Sequence, residues 1–232
     1  MNQKATLIYD LKSLKLAYGD RTVLQIGNMQ IHRGTVYGII GPVGSGKSSL
    51  LNILAGRAKP TAGTLKYDNE DFKKDWLGRP KPEPSIYHSG VDELPLNQSV
   101  RSIIKKRYPK QADSITNQYF TTAFHKQMLT ETLEKRTPGE RAWLKMILAV
   151  ESDPRVLLID DYGIDFDNSM QQDFNRRLIR MMRELGTTII MTAAGHDNIQ
   201  NIASVLIYLD NGHICKIRPG KGRTPRNPRK QY

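Results

Sequence analysis

One octapeptide, residues 41–48, has the residue types and the spacing needed to hold a phosphate. It matches the phosphate-loop pattern G-x-x-x-x-G-K-[ST] at every fixed position. Its residues are Gly41, Pro42, Val43, Gly44, Ser45, Gly46, Lys47 and Ser48. Glycines let the backbone wrap closely around phosphate oxygens. Lys47 is expected to reach the β- and γ-phosphates and Ser48 to hold Mg²⁺, so the motif predicts a nucleoside triphosphate site.

The residues on either side supply the strand and the helix that such a loop needs. Residues 36–40 form an apolar run that predicts a buried strand, and residues 49–54 predict the opening of a helix. A helix that begins here offers unpaired N–H groups and the positive end of its dipole to an anion. This context disfavours the alternative, a glycine-rich turn that matches by chance.

A second chemical feature lies more than one hundred residues further along. The apolar run 156–159 ends in Asp160 and Asp161, as expected of a buried strand that delivers acids at its carboxyl end. A carboxylate there orients Mg²⁺ in phosphate-loop enzymes, so we assign Asp160 to the metal. Two aspartates after a strand can also be an ordinary turn, but the upstream loop favours the metal role.

Composition places the chain among soluble globular proteins. It has 232 residues, of which 38% are hydrophobic and 25% charged, enough for one large domain or a domain with a subdomain. No apolar run approaches the ~18 residues of a membrane span, and the N-terminus lacks a signal-peptide core. We therefore expect neither a span nor export. The single cysteine, Cys215, excludes an intramolecular disulfide and fits a reducing cytoplasm.

The net charge of +12 is concentrated at the C-terminus. From Lys216 onward there are seven basic residues and no acid, which leaves +5 for the rest of the chain. With its prolines and glycines, the segment 216–232 is expected to be a disordered basic tail. Two interpretations remain open: a purely solubilising end, or a segment that docks on anionic lipid, nucleic acid or an acidic protein.

The rest of the sequence predicts the elements that must position these residues. Three apolar stretches within residues 1–37 are expected to form short antiparallel strands. Residues 97–135 have a polar, helical pattern, and apolar runs at 188–192 and 205–209 predict further strands. Strands that alternate with helices imply an α/β fold with a mostly parallel sheet.

Taken in order, these features resemble the nucleotide-binding domain of ATP-binding cassette (ABC) ATPases over residues 1–215. The resemblance rests on an aromatic residue, the phosphate loop, a Pro-x-x-Gly turn, a helical insert, a Pro-Gly-Glu helix start and the strand before Asp160. It implies a phosphate-loop NTPase core with an N-terminal antiparallel β subdomain and a helical subdomain at about residues 95–150. It also implies head-to-tail dimers that sandwich ATP.

The resemblance assigns roles to individual residues. Tyr18 becomes the aromatic that stacks on adenine, although an ordinary strand tyrosine is the alternative. The phosphate-binding segment extends from Gly41 to Ser49. Asp167 corresponds to the aspartate of the loop that crosses the dimer interface.

Two elements that would contact the reacting phosphate depart from the family pattern. The signature Leu-Ser-Gly-Gly-Gln is here residues 136–140, in which Thr137 and Gly139 keep a hydroxyl and a close backbone approach to a partner's nucleotide. Pro138, however, removes an N–H, and Glu140 is expected to bring a carboxylate near the partner's γ-phosphate. The catalytic glutamate is replaced by Asp161, which is one methylene shorter.

Two further positions depart from the pattern. The switch histidine is expected directly after residue 192, but His196 follows late. It either swings in through Gly195 as a catalytic group or starts a helix, the interpretation that we favour. The glutamine expected within residues 87–90 is absent, and His88 is a weak substitute.

These observations lead to three hypotheses. The first is an ATP- and Mg²⁺-binding subunit that lies on the cytoplasmic face of a membrane and drives a separate membrane protein, with slow or absent hydrolysis. The second is an ATP-dependent dimerisation switch or scaffold without transport. A nucleic-acid-associated protein ranks last, because the basic excess lies mostly in the tail. The sequence leaves open whether the partner cassette is identical or different.

Overall fold

The computed structural model describes residues 6–91 and 93–222, and its first layer is an antiparallel sheet. The strands are β1 (Leu7–Tyr18), β2 (Arg21–His32), β4 (Ala62–Tyr67) and β5 (Glu70–Asp71). They pair in the order β2-β1-β4-β5. The three short strands predicted in residues 1–37 are therefore two long ones. The first two apolar stretches lie in β1, in which Ser13 has a φ of 49°, and the third lies in β2.

A six-stranded sheet forms the centre of the molecule. It consists of β3 (Val36–Ile40), β6 (Ile86–His88), β7 (Val156–Ile159), β8 (Thr188–Ala193), β9 (Val205–Asp210) and β10 (His213–Pro219). Its order is β10-β9-β3-β8-β7-β6, and β10 alone is antiparallel to its neighbour. The parallel order that the alternation of strands and helices predicted is confirmed.

Six α-helices complete the described part of the chain. They are α1 (Lys47–Leu54), α2 (Val100–Arg107), α3 (Ala112–Tyr119), α4 (Ala123–Thr130), α5 (Pro138–Glu151) and α6 (Asn168–Arg180). Helices α2 to α5 follow one another between β6 and β7, where the sequence predicted a helical insert. Within residues 6–91 and 93–222, none of the helices has the length and apolar character that crossing a membrane requires.

Hydrophobic cores lie on both faces of the central sheet. Successive side chains of a strand point to opposite faces, and β7 shows the consequence. Leu157 and Ile159 pack in a core with helices α5 and α6, whereas Val156 and Leu158 pack in a core with α1 and the antiparallel sheet. Burial on both faces explains why β7 is apolar without alternation.

Strand β10 extends past residue 215, where the sequence predicted the end of the domain. Strand β10 continues to Pro219, and the N–H groups of Gly220 and Lys221 donate to the carbonyl oxygens of Ser204 and Gln200, both at 2.9 Å. Lys216 and Arg218 are exposed on β10, which is an edge strand, where charged side chains face solvent. The remainder of the predicted tail, residues 223–232, lies outside the described residues.

Candidate nucleotide-binding site

The central sheet brings the two predicted phosphate and metal elements to one edge. Strand β3 ends at the phosphate loop, β7 ends at Asp160, and β8 lies between them in parallel register. The N–H of Gly41 donates to the carbonyl oxygen of Ala193 at the end of β8 (3.3 Å). Because all three strands run in the same direction, their carboxyl ends form one crevice, the usual ligand position in such sheets.

The phosphate loop has room only for glycine at its critical positions. A Cβ on Gly41 would collide with the carbonyl oxygen of Leu209 and would lie 2.6 Å from Ser45 Oγ. Gly44 and Gly46 have φ values of 83° and 102°, which side chains disfavour. The loop therefore curls tightly against β9 and leaves its outer face open, where Pro42 and Val43 are exposed.

The lysine of the loop is folded back onto the loop itself. Lys47 is 7% exposed, and its Nζ donates to the carbonyl oxygens of Gly41 (2.7 Å) and Pro42 (2.9 Å). The hydroxyl of Ser45 is also buried, and it has no hydrogen-bond partner among the described residues. A buried ammonium group and an unsatisfied hydroxyl within a curled loop are suited to an anionic ligand.

The first turn of α1 offers further donors to the same ligand. The first hydrogen bond of the helix runs from the N–H of Leu50 to the carbonyl oxygen of Gly46 (2.9 Å). The preceding N–H groups therefore have no intrahelical partner. Ser48 is exposed and Ser49 is half-buried at this turn, as a metal-binding hydroxyl and a phosphate contact require.

Tyr18 lies at the end of the β1–β2 hairpin that borders the phosphate loop. The absent Cβ of Gly46 would lie 2.7 Å from Leu24 Cδ2 and 3.0 Å from the carbonyl oxygen of Val23, so β2 packs directly on the loop. Tyr18 pairs with Arg21 beside this contact, and 62% of its surface is exposed. An exposed aromatic ring in this position is available for stacking on a base.

A threonine that the sequence analysis missed connects the two aspartates after β7. The hydroxyl of Thr192 donates to Asp160 Oδ1 (2.6 Å) and accepts from the N–H of Asp161 (2.9 Å). Thr192 is fully buried, Asp160 is half-buried, and Asp161 is exposed with a φ of 48°. The only sequence signal was a polar residue at the end of an apolar strand.

The signature-like segment begins helix α5 instead of presenting a free carboxylate. The Thr137 hydroxyl accepts from the N–H of Glu140 (3.2 Å), and Glu140 Oε2 accepts from the N–H of Thr137 (2.7 Å), which is a capping box. Glu140 is also paired with Arg136 (3.3 Å), which forms a second ion pair with Glu131. The carboxylate of Glu140 is therefore already compensated within its own chain.

Gly139 has a packing role in this chain. A Cβ at Gly139 would lie 2.9 Å from the carbonyl oxygen of Asp165, in the loop after β7. That loop ends at Asp167, which caps α6 by accepting from the N–H of Met170 (2.8 Å) and the hydroxyl of Ser169 (2.7 Å). The Met170 and Ser169 bonds lower the pKa of the Asp167 carboxyl.

His196 lies apart from the aspartates in this conformation. It is exposed, and its ring lies edge-on to Tyr208 with centroids 5.4 Å apart. Its carbonyl oxygen accepts from the N–H groups of Ile199 (3.1 Å) and Gln200 (2.9 Å), so it opens a turn rather than a regular helix. The cavity beside Asp161 is lined instead by Ala193, Ala194 and Gly195.

The metal site predicted at Ser48 and Asp160 has few protein ligands. Across residues 6–91 and 93–222 there is no group of three or more His, Cys, Asp or Glu side chains that could hold an ion. A hydroxyl and a carboxylate nevertheless fit Mg²⁺, which binds through one or two protein oxygens and completes its shell with substrate phosphates and water. The donor set therefore suits a metal that arrives with a nucleotide.

Comparisons with known proteins agree with this architecture. A family model described as "ABC transporter" matches residues 24–162. The spermidine/putrescine import ATP-binding protein PotA of Nitrosomonas europaea is 23% identical over 226 residues, which cover 90% of this chain but only 59% of PotA. The lantibiotic transport ATP-binding protein SrtF of Streptococcus pyogenes is also 23% identical, with 88% of this chain and 87% of SrtF covered.

Solved structures show the same fold. CbiO1 of Clostridium perfringens, part of the ABC transporter complex cbiONQ, superposes with a TM-score of 0.74 at 21% identity. The superposition covers 94% of this chain and 89% of the CbiO1 chain. The dimeric bacterial ABC transporter cassette MJ0796 gives a TM-score of 0.74 at 20% identity, with 91% and 98% covered. Because the family model spans more than half of the sequence, this chain belongs to the ABC transporter family.

Proposed function

We propose that this chain is an ATP-binding subunit that couples nucleotide binding to a separate membrane protein. The observation that carries the proposal is the curled loop, in which the Lys47 ammonium group donates to two loop carbonyls and the buried Ser45 hydroxyl has no hydrogen-bond partner within the described residues. A triphosphate would replace those carbonyls with charged oxygens, which make stronger hydrogen bonds.

Each binding residue would have a defined part. Tyr18 would stack on adenine. Residues 41–49 would surround the phosphates with backbone N–H groups and the Lys47 charge. Ser48 and Asp160 would hold Mg²⁺, which neutralises phosphate charge when it is bound. Thr192 keeps Asp160 in a single orientation through its 2.6 Å hydrogen bond.

We propose that hydrolysis by the chain alone is slow or absent. Asp161 is the candidate base, yet its side chain is shorter than glutamate and its backbone is held by Thr192. His196 is the candidate switch residue, yet its ring lies against Tyr208. Thr137 and Gly139 remain candidates for contact with a partner's nucleotide, but both already serve helix α5 and its packing. Binding and chemistry are separable, because only contacts made more strongly in the transition state accelerate the reaction.

The proposed partners are a second cassette, identical or different, and a membrane protein. The names of PotA and SrtF describe import and transport ATP-binding proteins, and MJ0796 is described as a dimeric cassette. We infer a peripheral position on the cytoplasmic, inner face of a membrane. The basic C-terminal residues would contact anionic lipid or an acidic partner there.

Titration of the purified chain with ATP and Mg²⁺ in a calorimeter tests the binding proposal. We expect Lys47→Ala to weaken binding about a hundredfold, because about 3 kcal/mol of charge-assisted hydrogen bonding is lost. Lys126→Ala, in which an exposed lysine of α4 is removed, is the matched control and should bind normally. Equal affinity in all three proteins would refute the assignment of the site.

Copurification tests the coupling proposal against its alternative. A tagged chain that retains a polytopic membrane protein through detergent extraction supports the subunit. The alternative is an ATP-dependent dimerisation switch. It is favoured by the contacts of Glu140 and His196, because two positions expected to act near the reacting phosphate are engaged within the chain. It predicts a nucleotide-dependent change in size by light scattering, without phosphate release and without a membrane partner.

A further inference from the structure

His88 is a buried side chain whose polar atoms have no visible function in the folded chain. It is 6% exposed at the end of β6, and neither ring nitrogen has a hydrogen-bond partner within residues 6–91 and 93–222. Buried polar side-chain atoms are paired in the large majority of cases, so two unpaired nitrogens on one ring indicate a missing ligand.

The ring lies beside the carboxylate assigned to the metal. Strand β6 pairs with β7, so His88 and Asp160 reach the same edge of the sheet. The position of the Cβ that Gly90 lacks lies 3.2 Å from His88 Nε2 and 3.6 Å from Asp160 Oδ2. The other carboxylate oxygen, Oδ1, is occupied by the Thr192 hydroxyl. His88 Nε2 and Asp160 Oδ2 therefore lie close to a common point.

This point borders an open cavity. Gly90 and Asp160 line a space of about 290 Å³ together with Ser89 and Asp161. A Cβ on Gly90 would lie only 2.9 Å from Asp160 Cβ, so the glycine keeps the approach between the two side chains clear. The cavity reaches the common point from the side of Gly90 and Asp160, whereas His88 closes the point from within the fold.

We propose that His88 and Asp160 form a mixed nitrogen–oxygen site that prefers a late first-row transition ion, of the cobalt or zinc class, over Mg²⁺. The inference rests on the proposed function, because the nucleotide phosphates and water would complete the shell. Mg²⁺ strongly prefers oxygen ligands, whereas imidazole favours ions later in the transition series. The same nucleotide site would thus select its metal through His88.

The test uses Co²⁺ and a non-hydrolysable ATP analogue with the full chain. Proton NMR records the strongly hyperfine-shifted, exchangeable imidazole N–H signal that a histidine bound to Co²⁺ gives. Calorimetry measures the affinity of the protein–analogue complex for Co²⁺ and for Mg²⁺. The variants are His88→Gln, Gly90→Ala and His213→Gln, the last an exposed histidine of β10 that serves as the control. Thermal unfolding checks that each variant is folded.

We expect a shifted histidine signal in the parent and in the His213 variant, and its loss in His88→Gln. Removing the ligand should weaken Co²⁺ affinity by about ten- to a hundredfold and leave Mg²⁺ affinity within about twofold. Gly90→Ala should also lose the signal, although both ligands remain. A Co²⁺ complex without any shifted histidine signal, or equal Co²⁺ affinities in parent and His88→Gln, would overturn the inference while leaving the proposed function intact. An analogue that does not bind even with Mg²⁺ would overturn both.

Discussion

The phosphate loop and the signature-like segment differ in how their polar groups are satisfied. In the phosphate loop, as far as the structure describes the chain, the hydroxyl of Ser45 is unpaired and Lys47 donates only to carbonyls of its own loop. In the signature-like segment, Thr137, Glu140 and Arg136 are bonded to one another. The first region is organised for an external anion, whereas in the second Thr137 and Glu140 satisfy each other and only Arg136 Nε is left buried without a hydrogen-bond partner among the described residues.

The comparison indicates where function has been retained. Unsatisfied buried groups destabilise a fold, so their presence at the phosphate loop suggests a ligand that relieves the cost. A capping box stabilises its own helix, and its groups need no partner chain. Nucleotide binding and the contacts that would complete a composite catalytic site can therefore be separated by mutation.

The largest effect is expected from Gly41→Ala. The new Cβ would collide with the Leu209 carbonyl oxygen, and overpacking of this kind costs about 3 kcal/mol. We expect loss of stability and of ATP binding together. Gly44→Ala is the control, because its Cβ would meet no atom within 4 Å and only its φ of 83° is strained, at about 1 kcal/mol. Urea unfolding measures the loss of stability, and calorimetric titration measures the loss of ATP binding. Equal losses in Gly41→Ala and Gly44→Ala would contradict the steric explanation.

The next effect concerns the hydroxyl that joins the two aspartates. Thr192→Val leaves Asp160 Oδ1 and the N–H of Asp161 without their partner, and an unsatisfied buried group costs about 2 kcal/mol. We expect lower stability in urea and a higher Mg²⁺ requirement for nucleotide binding. Thr192→Ser keeps the hydroxyl and should restore the metal dependence. If the valine and serine variants had the same Mg²⁺ requirement, Thr192 would not position Asp160.

The sequence predicted the parts of the site that are local. The phosphate loop, the strand before it and the strand before Asp160 follow from contiguous patterns of residue type. The position of His88 beside Asp160 and the bridge through Thr192 depend on β6, β7 and β8 lying side by side. Such pairings join residues far apart in the chain, and no local pattern specifies them.

Two structural features that the sequence analysis did not predict had signals that were available in the sequence. The pattern Thr-x-x-Glu before an apolar run predicts a capping box, which would have shown that Glu140 is engaged by its own helix. The charges of Lys216 and Arg218 alternate with apolar Cys215 and Ile217, a pattern compatible with an edge strand. In both cases the presence or number of charged residues was used, whereas their spacing along the sequence indicated the structure.

A smaller effect is expected from Thr137→Ala, which tests whether the signature-like threonine serves its helix or a nucleotide. Loss of an N-cap costs about 1 kcal/mol. We expect this loss of stability in urea, with unchanged ATP affinity of the single chain. Thr137→Ser keeps the cap and should match the parent. A fall in nucleotide affinity with unchanged stability would instead assign Thr137 to the ligand and weaken the contrast between the two regions.

The smallest effect is expected from Asp161→Asn, measured as phosphate release by the pure chain. Asp161 is exposed, and the hydrogen bonds that hold it involve its backbone: its N–H donates to the Thr192 hydroxyl and its carbonyl oxygen accepts from the N–H of Ile164. A short carboxylate without a positioning partner is poorly placed to activate water, because misplacement by about 1 Å can cost about a hundredfold. We therefore expect equal, near-zero rates in parent and variant. A clear drop in phosphate release by the variant would show that Asp161 is catalytic. Slow hydrolysis would then be due to the signature-like segment and His196 alone.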